Sequence, residues 1–228
     1  MIQKCKKATD KPFGVNLPLL YPQIDDHIQI IIDEGVKIVF SSAGNPAKYT
    51  SYLKEHGITV VHVVANEKFA RKSVDSGVDA VVCEGFEAGG HNGREETTTM
   101  CLVPHIREAV DVPVIAAGGI GSGQGIAAAL SLGADGVQIG TLFASSKESS
   151  AHDLYKKTLV EASDGGTELS LKNLVPVRIY KNAFYDKVKE AEARCASREE
   201  LAELLGRGRA KKGIFLGDLD EGEIEFGQ

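Results

Sequence analysis

The sequence lacks a C-x-x-C pair, zinc-ligand spacing, any long apolar run and any basic excess. Its four cysteines, Cys5, Cys83, Cys101 and Cys195, stand far apart, which argues against a metal or disulfide framework. No stretch approaches the roughly 18 apolar residues of a membrane span. The N-terminal segment, with Lys4, Lys6 and Lys7, is polar and leads into no apolar signal segment. Against 26 Lys+Arg stand 32 Asp+Glu, a net charge of −6, and a nucleic-acid binder would carry the opposite bias. What remains, 43% hydrophobic and 25% charged residues over 228 positions, is globular composition with material for one domain and a small appendage. These features predict a cytoplasmic, metal-free protein that acts on a small molecule rather than on nucleic acid or a membrane.

The chain carries a degenerate internal repeat in which a helix-like stretch ends at glycine and a β-branched run follows. Its instances are Glu34-Gly35-Val36-Lys37-Ile38-Val39, His56-Gly57-Ile58-Thr59-Val60-Val61, Ser76-Gly77-Val78-Asp79-Ala80-Val81 and Leu132-Gly133-Ala134-Asp135-Gly136-Val137. Glycine suits the left-handed residue that closes a helix. Runs such as 60–64 and 80–83 are apolar without alternation, as expected of parallel strands covered on both faces. Two further strands are expected over 13–17 and 114–116. The β-α-β-α order, about six units long, fits an open doubly wound sheet or a (β/α)₈ barrel. From about residue 149 the pattern changes, and we expect a partial barrel over 1–148 followed by a mainly helical appendage over 149–228. Five acids crowd the last twelve residues and read as a solvated face.

Three segments carry chemistry. In Val114-Ile115-Ala116-Ala117-Gly118-Gly119-Ile120-Gly121-Ser122-Gly123 a strand enters a glycine loop and a helix start, an arrangement whose backbone N–H groups cradle phosphate. A dinucleotide fingerprint is weak here, because Gln124 occupies the third glycine's place. Gly136-Val137-Gln138-Ile139-Gly140-Thr141 is a second strand with a glycine end, and two such neighbouring ends grip one phosphate in barrels. The pairing favours the barrel and a mononucleotide or flavin ligand. The third segment, Cys83-Glu84-Gly85-Phe86-Glu87-Ala88-Gly89-Gly90-His91-Asn92-Gly93, puts an imidazole and two carboxylates in a loop at a strand end. Histidine suits proton transfer near neutrality. Asn16 stands at the mouth of the first strand. Cys83 and Cys101 read as structural thiols, and His62 as a histidine within a strand.

Together these segments resemble the 2-nitropropane dioxygenase (nitronate monooxygenase) family of FMN-dependent flavoproteins, which includes the FMN-dependent enoyl-acyl-carrier-protein reductases. The resemblance runs from Lys11-Pro12-Phe13-Gly14-Val15-Asn16 to Phe226-Gly227-Gln228 and implies a TIM-type (β/α) barrel. It also implies FMN near Asn16, Glu84 and Gly89, with the phosphate held by Gly119, Gln138, Ile139, Gly140 and Thr141, and His91 as the catalytic histidine. Similar phosphate loops occur in IMP dehydrogenases, which use a loop cysteine where this loop supplies a histidine. Two activities follow from the resemblance: oxidation of alkyl nitronates with O₂, or reduction of an enoyl thioester with NAD(P)H. Glu84, Thr97-Thr98-Thr99 and Lys147-Glu148-Ser149-Ser150-Ala151-His152 look like the reductase branch, while Asn92 departs from it. Family members normally begin with about two further β-α units. The resemblance therefore implies a fragment, an inactive remnant, or a shortened protein that closes its barrel by association, and a homo-oligomer is expected.

Overall fold

The computed structural model describes residues 1–228. The four repeat glycines adopt the predicted left-handed backbone: φ is +64° at Gly35, +69° at Gly57, +85° at Gly77 and +100° at Gly133. At each, the next residue's N–H reaches back to the preceding helix, as Val36 N–H does to the Ile31 carbonyl at 3.1 Å. That contact closes a Schellman motif and turns the chain directly into a strand.

In chain order the first elements are α1 (Ile2–Ala8), β1 (Gly14–Pro18), α2 (Ile24–Asp33), β2 (Ile38–Ser42), α3 (Thr50–Glu55), β3 (Thr59–Val64), α4 (Glu67–Asp75) and β4 (Ala80–Glu84). Then come β5 (Gly90–His91), α5 (Thr99–Ala109), β6 (Val114–Ala117), α6 (Gly123–Ser131), β7 (Gly136–Gln138) and α7 (Thr141–Ala144). Six strands form one parallel sheet in the order β1-β2-β3-β4-β6-β7. Because each strand lies beside its predecessor, there is no switch point, and the doubly wound alternative is excluded. The sheet is an open arc of a (β/α) barrel, with β1 and β7 as its unpaired edges.

Alternate residues separate the two faces. Val39, Val60, Val64, Val81, Cys83, Val114 and Ala116 point outward into one aliphatic core with Ile28 and Ile31 of α2, Leu53 of α3 and Leu102 and Ile106 of α5. Val61, Ala80, Val82 and Ala117 form a smaller cluster on the inner face. His62 belongs to the outer face, 4% exposed, with Nδ1 2.7 Å from Ser41 Oγ. It is a satisfied core histidine, as its place within the strand suggests.

Beyond residue 149 lie α8 (Asp153–Glu161), β8 (Thr167–Ser170), β9 (Val177–Tyr180), α9 (Ala183–Ala193), α10 (Arg198–Leu205) and α11 (Arg209–Leu216). Helices dominate, but the β8–β9 hairpin ties this region to the loop after β4, since β5 pairs with β9 through Gly90–Arg178 and His91–Val177. The acidic tail corrects the expectation of a solvated face. Ile224 and Phe226 bury themselves with Ala151 and Tyr155, and this carries Glu223 into the interior at 5% exposure.

The helix-closing glycines supply a direct test. Gly35 has open space where a Cβ would sit, so Gly35→Ala should cost about 1–2 kcal/mol through backbone strain alone. Chemical denaturation would measure it, and an unchanged midpoint would contradict the account.

Candidate functional site

The strands are parallel, so all of their C-terminal ends meet on one side. Register places Glu84 beside Ala117 and Ala117 beside Gln138, a row across β4, β6 and β7. Asn16 belongs to a different row, with Phe40, Val61 and Ala80. That row crosses β4 four residues before Glu84, about 13 Å along the strand.

The loop after β4 is held from three directions. Gly85 N–H donates to the Ala117 carbonyl at 2.9 Å. Both Glu87 carboxylate oxygens accept from Thr99 N–H at 3.0 Å, and Thr99 Oγ1 donates to the Gly118 carbonyl at 2.9 Å. Arg178 of β9, 2% exposed, donates from Nε and Nη2 to the Phe86 carbonyl at 3.0 and 2.8 Å and lies over the Phe86 ring. A buried guanidinium requires such partners to offset its lost hydration.

The glycine loop after β6 leads through Ser122, whose Oγ accepts from Gly125 N–H at 3.1 Å and caps α6. The amides of Gly121, Gly123 and Gln124 have no hydrogen-bond partner within the chain. A Cβ built at Gly121, Gly123 or Gly140 would meet no atom within 4 Å. Exposed donors at a helix start with open space before them suit an anion.

These loops surround a cavity of about 850 Å³, within the range of small-molecule sites. Among the residues expected from sequence, Glu84, Gly89, Gly119, Gln138, Gly140 and Thr141 line it, whereas Asn16, His91 and Ile139 do not. His91 is solvent-exposed, two residues beyond Gly89, on the short strand paired with β9. Two lining residues have structural work as well. Thr141 Oγ1 accepts the Gly227 N–H at 2.9 Å, and a Cβ on Gly89 would strike the Phe226 backbone at 2.4 Å.

Sequence reading missed one wall altogether. Tyr155, the 163–167 turn and the tail from Glu225 to Gln228 close the cavity opposite the barrel. Tyr155 Oη donates to the Glu225 carbonyl at 2.7 Å, and Gln228 N–H donates to the Glu87 carbonyl at 2.9 Å. The available signal was the apolar alternation of Ile224 and Phe226 within the acidic run.

Burial sets the electrostatics. It pushes Glu84 up to about 7 and Glu225 to about 8, the latter helped by neighbouring Glu223. Glu223 itself is raised to about 7 by burial, partly opposed by Arg209. Protein packed around the His91 imidazole strips enough water to hold its pKa below the usual histidine value, although the side chain is solvent-accessible. Burial raises Cys83 to about 12, and its Sγ lies 3.4 Å from the Ile115 carbonyl. That thiol is structural, not nucleophilic.

Residues 23–228 match the family model described as Nitronate monooxygenase. The chain belongs to the nitronate monooxygenase family. Among curated relatives, a Mycobacterium tuberculosis protein named (3aS,4S,5R,7aS)-5-hydroxy-7a-methyl-1-oxo-octahydro-1H-indene-4-carboxyl-CoA dehydrogenase is 36% identical over 82% of this chain and 53% of its own length. A Staphylococcus saprophyticus protein named "Probable nitronate monooxygenase" is 33% identical over 91% of this chain and 63% of its own. Both names are those of oxidoreductases, and the chain spans about half to two-thirds of these relatives. Among solved structures, FabK from Thermotoga maritima superposes with a TM-score of 0.93 at 42% identity, covering 99% of this chain and 71% of that one. Nitroalkane oxidase from Streptomyces ansochromogenes superposes at 0.80 with 27% identity, covering all of this chain and 77% of its own. The arc is thus shared with both of these structures.

The buried carboxyls predict a pH dependence of stability in this family member. Glu223 keeps its proton to about pH 7 when folded, against 4.5 normally, so the folded state binds more protons between those values. Its contribution to stability therefore falls as pH rises from about 4.5 to 7 and stays low above. Glu223→Gln should raise stability at pH 8 by on the order of 3 kcal/mol and change little at pH 4. Urea midpoints of the two proteins at both pH values check this, and an equal gain at pH 4 would refute the titration.

Proposed function

We propose that this chain is an FMN-dependent oxidoreductase that oxidises alkyl nitronates with O₂. The carrying observation is the partnerless amide of Gly121, which lines a cavity of mononucleotide scale together with Gly119 and Gly140 and is followed by the equally partnerless amides of Gly123 and Gln124. The donors and the absent side chains fit a phosphate. Gly119, Gln138, Gly140 and Thr141 would hold that end, with Ile139 supplying backbone, and Glu84 and Gly89 would face the rest of the ligand. Bound FMN supplies the electron transfer. His91, whose pKa burial lowers, serves as the proton acceptor for a substrate lying outward of Gly89. Asn16 contributes from the inner face of β1, where it is exposed.

A second reading, reduction of an enoyl thioester by NAD(P)H, has specific support. Glu84 occupies the position where glutamate resembles the reductase branch, and the M. tuberculosis relative is named for a carboxyl-CoA substrate. Nitronate-dependent oxygen uptake supports the first reading, and thioester-dependent NAD(P)H oxidation the second. We also propose a homo-oligomer, supported by the unpaired edges of β1 and β7, since exposed edges favour pairing.

If the phosphate end is assigned correctly, FMN should bind at least tenfold more tightly than riboflavin in fluorescence titrations. Equal affinities would sink the assignment. His91→Ala should leave FMN affinity unchanged while lowering turnover by about two to four orders of magnitude. A near-normal rate would return His91 to the role of a loop residue.

A further inference from the structure

The turn between Gly89 and His91 is tied from within by a side chain that the proposed chemistry leaves unused. Asn92 follows His91, and its Nδ2 donates to the Ala88 carbonyl at 2.8 Å and to the Gly90 carbonyl at 3.0 Å. Both amide protons are thereby engaged by carbonyls of one turn. Asn92 is itself anchored, because its backbone N–H donates to the Pro176 carbonyl at 2.9 Å and so extends the pairing of β5 with β9. Oδ1 of the same carboxamide is buried without a partner, which destabilises the fold. A residue kept for packing alone would not need that orphaned oxygen.

What the contact fixes is the direction of a neighbouring donor. The Ala88–Gly89 peptide is trans, so its carbonyl and its N–H point in opposite directions. The carbonyl is turned onto Asn92, its one partner in the chain, and Asn92 is not part of the cavity wall. The Gly89 N–H is therefore turned away from Asn92, and both Ala88 and Gly89 line the cavity. That N–H has no hydrogen-bond partner within the chain. Space is left beside it: a Cβ on Gly227 would come 3.4 Å from the Gly89 nitrogen and 3.6 Å from Thr141 Oγ1, and Gly227 carries none. Glycine does not hold such an orientation by itself, since its backbone meets little steric resistance. A rotated peptide would offer the Ala88 carbonyl in place of the N–H and invert the polarity of that stretch of wall.

We propose that Asn92 is a positioning residue: it locks the Ala88–Gly89 peptide so that the Gly89 N–H donates to an acceptor atom of the bound molecule. Asn92 touches no ligand and acts through Gly89. Arg178 and Glu87 hold the loop at Phe86 and Thr99, and the Ala88 carbonyl is left to Asn92. The inference rests on the reading of the cavity as an FMN site and adds the residue that aims one of its donors. A phosphoryl oxygen and an acceptor elsewhere on the flavin share the required chemistry, and the measurements below separate them.

The test uses the full chain, wild type and with Asn92→Asp or Asn92→Ala, titrated with FMN, riboflavin and inorganic phosphate. Asn92→Asp keeps the shape of the side chain and removes both donors, and Asn92→Ala removes them without adding charge. Each should weaken FMN by about tenfold, so a loss common to both is due neither to volume nor to charge. If the acceptor is a phosphoryl oxygen, inorganic phosphate weakens in parallel and riboflavin does not. If it lies elsewhere on the flavin, riboflavin weakens in parallel and phosphate does not; either pattern supports the proposal. Thermal unfolding identifies the variants that are folded, and a folded Asn92→Asp or Asn92→Ala protein with wild-type FMN affinity overturns it. A second measurement needs no variant. With glycine labelled by ¹⁵N, the Gly89 amide proton signal of the wild type should move downfield as FMN is added, and a signal that stays in place at FMN saturation overturns the role of Asn92 alone. A wild-type chain that binds neither FMN nor phosphate overturns the FMN reading and this inference with it.

Discussion

The cavity depends on how the glycine-rich loop after β4 is held, because that loop has few side chains with which to pack itself. Its shape comes from polar contacts made by other segments. Glu87 caps Thr99 at the start of α5, Thr99 binds the Gly118 carbonyl, and Arg178 reaches from the appendage to the Phe86 carbonyl. Gln228 adds a bond from the tail to the Glu87 carbonyl. Four distant parts of the chain therefore converge on about ten residues. The aliphatic core outside the sheet stabilises the arc, but this network decides where the loop's backbone lies.

Arg178 is the unusual member. Its guanidinium is almost fully buried without a carboxylate partner at salt-bridge distance, and two bonds to one carbonyl, one to Thr167 and the Phe86 ring replace its water. Since β9 also pairs with Gly90 and His91, the same strand sets both ends of the loop. The barrel and the appendage meet at the site itself, which explains why the cavity has one wall from each.

Two kinds of polar group share the cavity wall. Gly121 of the loop before α6 has a partnerless amide, and Glu84 and Glu225 bring carboxyls whose pKa burial raises.

Much of this was readable in advance. The four glycine turns are local: a left-handed residue closes each helix whatever packs around it, so Gly35, Gly57, Gly77 and Gly133 announced their own conformations. The open glycine loops after β6 and β7 were legible for the same reason. The tail was misread because two apolar residues among five acids make a weak pattern, and only contact with Tyr155 and Ala151 reveals their burial. The sequence by itself determined the β-α rhythm, the turns and the donor-rich loops, since these follow from backbone preference and periodicity within short windows. Strand order, the register that separates Asn16 from Glu84, the placement of His91 outside the cavity lining and the entry of Glu225 into its wall were decided only by tertiary structure. Each depends on which distant segments share the same space, and no local preference encodes that.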